Sequence, residues 1–136
     1  MRSEAEVTIL VQKFLAALRE HAALLGIRLP DIRLKFDCAI AEESYLGNQR
    51  FVAHAFHKGN TICIVARGMG VLTPHKICGV IAHEVGHIMS EVQDESAEGA
   101  ADQWMRESLG IEIYYDSMDS LEFLDEKTLM SLGIAL

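Results

Sequence analysis

The stretch Gly79-Val80-Ile81-Ala82-His83-Glu84-Val85-Gly86-His87 decides how this chain reads. Upstream, Pro74 follows Thr73, the pairing expected where a helix begins with a capping hydroxyl and a proline in its first turn. No further proline occurs before Ser90, and the spacing predicts one helix over about Pro74–Ser90. Residues four apart on an α-helix differ by about 40° in azimuth and 6 Å in rise. His83 and His87 therefore share a face and can aim two imidazole nitrogens at one point. Glu84 follows His83 directly, so its carboxylate reaches the neighbourhood of that point without having to ligate there.

This is the H-E-x-x-H arrangement of a zinc hydrolase. The plainer alternative is two helix histidines, one satisfied in the core and one exposed. A catalytic zinc needs a third protein ligand and an open position for water. A second helix is expected over about Asp94–Leu109, ended by Gly110, and it offers Glu95, Glu98 and Asp102. Glu98 and Asp102 are again four apart. Glu98 is the expected metal ligand, with Asp102 accepting the free ring N–H of His83 or His87. Glu95 stays open as a rival, because only a short turn separates His87 from Glu98. Glu91 reads as a solvated carboxylate.

His83-Glu84-x-x-His87 followed by Glu98-Gly99-Ala100-Ala101-Asp102 resembles the H-E-x-x-H and E-x-x-A-D pair of gluzincin metallopeptidases. Gly79-Val80-Ile81-Ala82-His83-Glu84 is especially similar to the helix of the HtpX and CAAX-prenyl-protein peptidase group. Ala55-Phe56-x-x-Gly59, running into Ile62-x-Ile64-Val65-x-Arg67-Gly68, resembles that group's edge-strand hairpin. The resemblance covers about residues 50–105. It implies a zincin-like fold, Zn2+, peptide-bond hydrolysis, and an extended substrate lying against the strand at about Arg50–Phe56, touching His54, Ala55 and Phe56. That group has transmembrane helices and a long insertion between the metal-binding helices, and an Asn where this chain has His54. In size the chain is more similar to minimal soluble peptidases of the ImmA/IrrE type. An oxyanion donor is sought at Tyr114 or Tyr115, with His54 and His57 as alternatives.

Working outward, Ser3 and Glu6 form a capping-box signature ahead of an amphipathic helix over about residues 3–25, with Gly26 as its stop. His21 on it reads as a surface residue, as does His75 at the start of the metal helix. Ile32–Phe36 alternates with period two and predicts a strand, whereas residues 37–49 read as irregular. Arg50–Phe56 and Thr61–Ala66 predict a hairpin joined by His57-Lys58-Gly59-Asn60, the second strand central and the first at an edge. Arg67–Thr73 reads as a loop. Ile111–Tyr115 is extended, and Asp119 with Glu122 is expected to cap a last short helix closing near Gly133. The fold class is α+β over 1–136 as one domain: an N-terminal helix on a small three-stranded sheet, then the two metal-binding helices and a C-terminal cap.

Composition narrows the function classes. Of 136 residues, 50% are hydrophobic, and 20 carboxylates against 12 Lys and Arg give a formal net charge of −8. Such a balance excludes a disordered linker and argues against a nucleic-acid binder, which needs a basic face. Residues 91–136 hold twelve acidic and two basic groups, so the excess is concentrated after the metal helix. No apolar run approaches the roughly 18 residues that span a bilayer, and the opening lacks a secretory pattern. Cys38, Cys63 and Cys78, odd in number and widely spaced, read as reduced buried thiols, which makes a cytoplasmic protein the expectation. The partner is a protein or peptide substrate. The competing class is a non-catalytic or latent zinc module that binds a regulatory partner through its edge strand.

Overall fold

The computed structural model describes residues 1–91 and 97–135, the side chains of residues 97 and 98 lying outside that description. Helix α1 (Glu4–Leu24) starts where Ser3 and Glu6 exchange hydrogen bonds of 3.1 Å each, a complete capping box. Its buried stripe of Val7, Val11, Phe14, Leu15, Leu18 and Ala22 faces the main core. Strand β1 (Arg33–Phe36) runs parallel to β3 (Thr61–Ile64), and β2 (Ala53–Phe56) pairs antiparallel on the other side of β3. The order β1-β3-β2 makes β3 central, with Ile62, Cys63 and Ile64 fully buried, and leaves β2 at an edge.

The chain then makes a single helical turn, α3 (Ala66–Met69), and enters α4 (Pro74–Ser90), capped by the Thr73 hydroxyl accepting from Lys76 N–H. Helix α5 (Ala97–Leu109) packs along α4, with Met105 and Leu109 buried beside Val80 and Ile81 in the common core. Gly110, at φ +68°, closes α5 in a left-handed conformation that a side chain would strain. The architecture is α+β, as its sequence pattern predicts, with the motif helix against a small mixed sheet and the following helix packed along it. Among the described residues no helix is long and apolar enough to cross a membrane.

Besides Arg67–Thr73, which is not all loop because Ala66–Met69 forms α3, four local expectations are corrected. Residues 37–49 are not irregular: Ala39–Gly47 forms α2, which has no side-chain cap and is held by tertiary packing through buried Ala41. Cys38 and Cys63 are not reduced thiols; they form a disulfide, and Cys78 alone is free and buried. The parallel pairing of β1 with β3 aligns Lys35 with Cys63, so the turn after Phe36 delivers Cys38 onto the central strand. Spacing along the chain cannot reveal that approach. Thirdly, Glu122 does not help cap the last helix. It lies in β5 (Glu122–Phe123), which pairs antiparallel with β4 (Tyr114–Tyr115), and Asp125 caps α6 (Glu126–Ser131) instead. Finally, His21 is half-buried, its Nε2 2.7 Å from the Leu109 carbonyl at the end of α5, where helix carbonyls lack intrahelical partners.

Candidate metal centre

Helix α4 is buried from Ile77 to Ile88, so its polar residues are inside the protein only where something receives them. His83, Glu84 and His87 are the buried polar residues of the described chain, at 2%, 7% and 9% exposure. They offer ligand atoms that all lie within 4.8 Å of one another. The Nε2 atoms of His83 and His87 are 3.0 Å apart, their rings edge-on at 90°.

Asp102, one turn into α5 from Glu98, explains which nitrogen of His83 carries the proton. Its Oδ1 lies 2.7 Å from His83 Nδ1, and an ionised carboxylate can only accept. The proton therefore sits on Nδ1, and Nε2 presents a lone pair toward His87. Tyr115 donates its hydroxyl to the other oxygen, Asp102 Oδ2, at 2.7 Å. Two imidazole nitrogens at 3.0 Å suit a shared cation: ligands at zinc–nitrogen distances and a tetrahedral angle lie about 3.4 Å apart. The donor set thus fits zinc with a few tenths of an ångström of adjustment.

Two glycines let α5 and the β4–β5 hairpin come this close. A Cβ on Gly86 would collide with the Ala101 carbonyl oxygen and lie 2.8 Å from its carbon. A Cβ on Gly79 would collide with the Phe123 Cα and lie 2.7 Å from the Glu122 carbonyl carbon. The positions are seven apart, two helical turns along one side of α4. Backbone contact at Gly86 brings Asp102 to His83, and backbone contact at Gly79 brings β5 beside the motif.

A cleft of about 340 Å³ opens over the centre. Glu84 and His87 form its floor, Ala53, His54 and Ala55 of β2 one side, and Glu43, Ser44 and Gly47 of α2 the other. Burial, and secondarily the neighbouring His87, hold His54 below the ordinary imidazole range. Phe56 is not part of this lining; it packs at the cluster of Ala41, Cys63 and Val65, with an edge contact to His54. His57, in the β2–β3 turn, has a buried Nδ1 without a hydrogen-bond partner in the described structure.

No family model, curated protein or solved structure matches the chain. The clustered residues are consistent with a zincin-type metal site.

Of the other residues singled out in the sequence, Glu98 stands in the first turn of α5, and Glu95 lies outside the described residues. Glu91 caps α4, exposed, at φ +58°. Tyr114 stacks on Phe123 at 5.6 Å and is exposed, whereas Tyr115 is occupied with Asp102. Sequence reasoning missed Glu122, whose Oε1 is 3.9 Å from His83 Nε2. The available signal was Gly79, which on a helix otherwise packed with branched residues marks a close backbone approach.

Proposed function

We propose that the chain is a zinc-dependent metallopeptidase of the gluzincin type, with His83, His87 and Glu98 as metal ligands and Glu84 as general base. The observation that carries the reading is the convergence of two Nε2 atoms at 3.0 Å beside a buried Glu84, at the floor of a cleft along an edge strand. Zinc bound there would lower the pKa of a water toward neutrality and polarise a carbonyl.

The protein's own groups supply the rest. Asp102 keeps the His83 proton on Nδ1, which fixes the ring orientation and strengthens Nε2 as a donor. Glu84 takes the proton from the attacking water and returns it to the leaving amine. A peptide lying extended in the cleft along β2 would bring a carbonyl to Glu84 and His87. Glu43 in the α2 wall and the formal charge of −8 favour basic or neutral peptides over acidic ones.

The test compares wild type with Glu84→Gln for bound zinc and for cleavage of a mixed peptide library. The expected result is one zinc per chain in both and cleavage by wild type alone. A wild type without zinc, or a Glu84→Gln protein that cleaves as fast, would falsify the assignment. Zinc binding with no cleavage by either protein would favour a non-catalytic module.

A further inference from the structure

The β4–β5 hairpin is fastened to α4 at three places. Phe123 lies against Gly79, Leu124 N–H donates to the His75 carbonyl at 3.1 Å, and Lys76 Nζ donates to Asp119 at 2.7 Å. In the hairpin register Tyr115 stands directly opposite Glu122. Cross-strand partners of an antiparallel pair project from the same face. From that face Tyr115 reaches Asp102, which holds Nδ1 of His83, and Glu122 comes within 3.9 Å of Nε2 of the same ring. One strand pair thus holds the partner of Nδ1 and approaches Nε2 of the same ring. The Glu122 side chain is only 16% exposed. Together with Val80, His83 and Glu84 it borders a second, small cavity of about 30 Å³. A single water-sized occupant needs about 10–15 Å³.

We infer that Glu122 is a further ligand of the cation held by His83 and His87, delivered by the β4–β5 hairpin. This inference rests on the metal site proposed above. A carboxylate oxygen and an imidazole nitrogen sharing one zinc lie about 3.3 Å apart. Closing the observed 3.9 Å to that value, and bringing Glu122 into the 4.8 Å cluster of His83, Glu84 and His87 outside which it now stands, takes a rotation of the glutamate side chain. With Glu98 as third ligand, Glu122 would bring the protein donors to four, the number found in sites closed to water. Hydrolysis would then require Glu122 to move aside, making the hairpin a latch on the metal.

The experiment uses the full chain stripped of metal, as wild type, Glu122→Gln and Glu122→Ala. Zinc is titrated against a chromophoric chelator, the visible spectrum is recorded with saturating Co2+, and the metal-free proteins are melted. The expected result is zinc affinity weakened in both variants by more than the roughly ten- to hundredfold that loss of an outer hydrogen-bond partner costs, with altered cobalt bands and unchanged metal-free melting. Wild-type affinity together with a wild-type cobalt spectrum in both variants overturns the inference and leaves the histidine pair standing. If a variant melts lower without metal, the cobalt spectrum at saturation decides, because lost packing alone leaves the ligand field unchanged. A wild type that binds no zinc overturns this inference and the metal site together.

Discussion

Asp102 reaches across from α5 to hold Nδ1 of His83 at 2.7 Å, so one hydrogen bond both joins two helices and fixes a tautomer. Replacing the carboxylate by an amide lets the ring rotate or carry its proton on the other nitrogen. Asp102→Asn is therefore expected to weaken zinc binding about ten- to a hundredfold, read by chelator competition. Unchanged affinity would show that His83 is oriented by packing alone.

Gly86 meets the Ala101 backbone, which unlike a side chain has no rotamer with which to retreat. Gly86→Ala is expected to lower the free energy of unfolding by about 1–3 kcal/mol in urea, with weakened zinc binding as Asp102 moves away. Gly99, whose Cβ would meet nothing within 4 Å, is the control on the neighbouring helix. Gly99→Ala is expected to be neutral or slightly stabilising, since alanine is the better helix former. Equal losses at both positions would contradict the close-approach account.

The Cys38–Cys63 disulfide joins the start of α2 to the central strand over a sequence separation of 25. Closing a loop of that length removes enough unfolded-chain entropy to stabilise the fold by about 3.5 kcal/mol on the chain-entropy model. Reduction is expected to lower the urea midpoint accordingly. Titration of the unfolded chain should find one thiol before reduction and three after it. Three thiols before reduction would show the bond does not form.

Burial pushes the Cys78 thiol up to about 12 from its ordinary 9.0. Below pH 9 folded and unfolded chains both keep this proton, and its contribution to stability is undiminished. From there toward pH 12 the unfolded chain loses the proton that the folded one retains, so stability falls by about 1.4 kcal/mol per pH unit. Urea unfolding of wild type and Cys78→Ala between pH 8 and 11 measures it: the difference between them should change only above pH 9. A difference independent of pH would place Cys78 in a solvated site.

What the sequence made legible was local. The capping box at Ser3 and Glu6, the Thr73-Pro74 start and the two helices carrying His83 and Asp102 depend on neighbours a few residues away. The apolar run of β3 likewise announced a central strand. Helix α2 was hidden because its apolar residues form no clear stripe and tertiary packing holds it. The disulfide and the β4–β5 hairpin were hidden because both depend on chain segments meeting across the fold. The site divides the same way. His83, Glu84 and His87 come from one helix and were read from spacing, whereas Glu122 arrives from a two-residue strand with no periodicity to mark it.

The two glycine contacts along α4 have a consequence for how the buried polar cluster is held. A helix wedged against backbone at Gly79 and at Gly86 cannot roll about its axis, because neither neighbour has a side chain that could swing away. A roll of ten degrees would shift an imidazole tip by about 1 Å, given the helix radius and the length of the side chain. With that motion denied, the placement of both rings against Asp102 and Glu122 is set by main-chain packing. The placement of the buried polar cluster is thus built into two positions that carry no side chain at all.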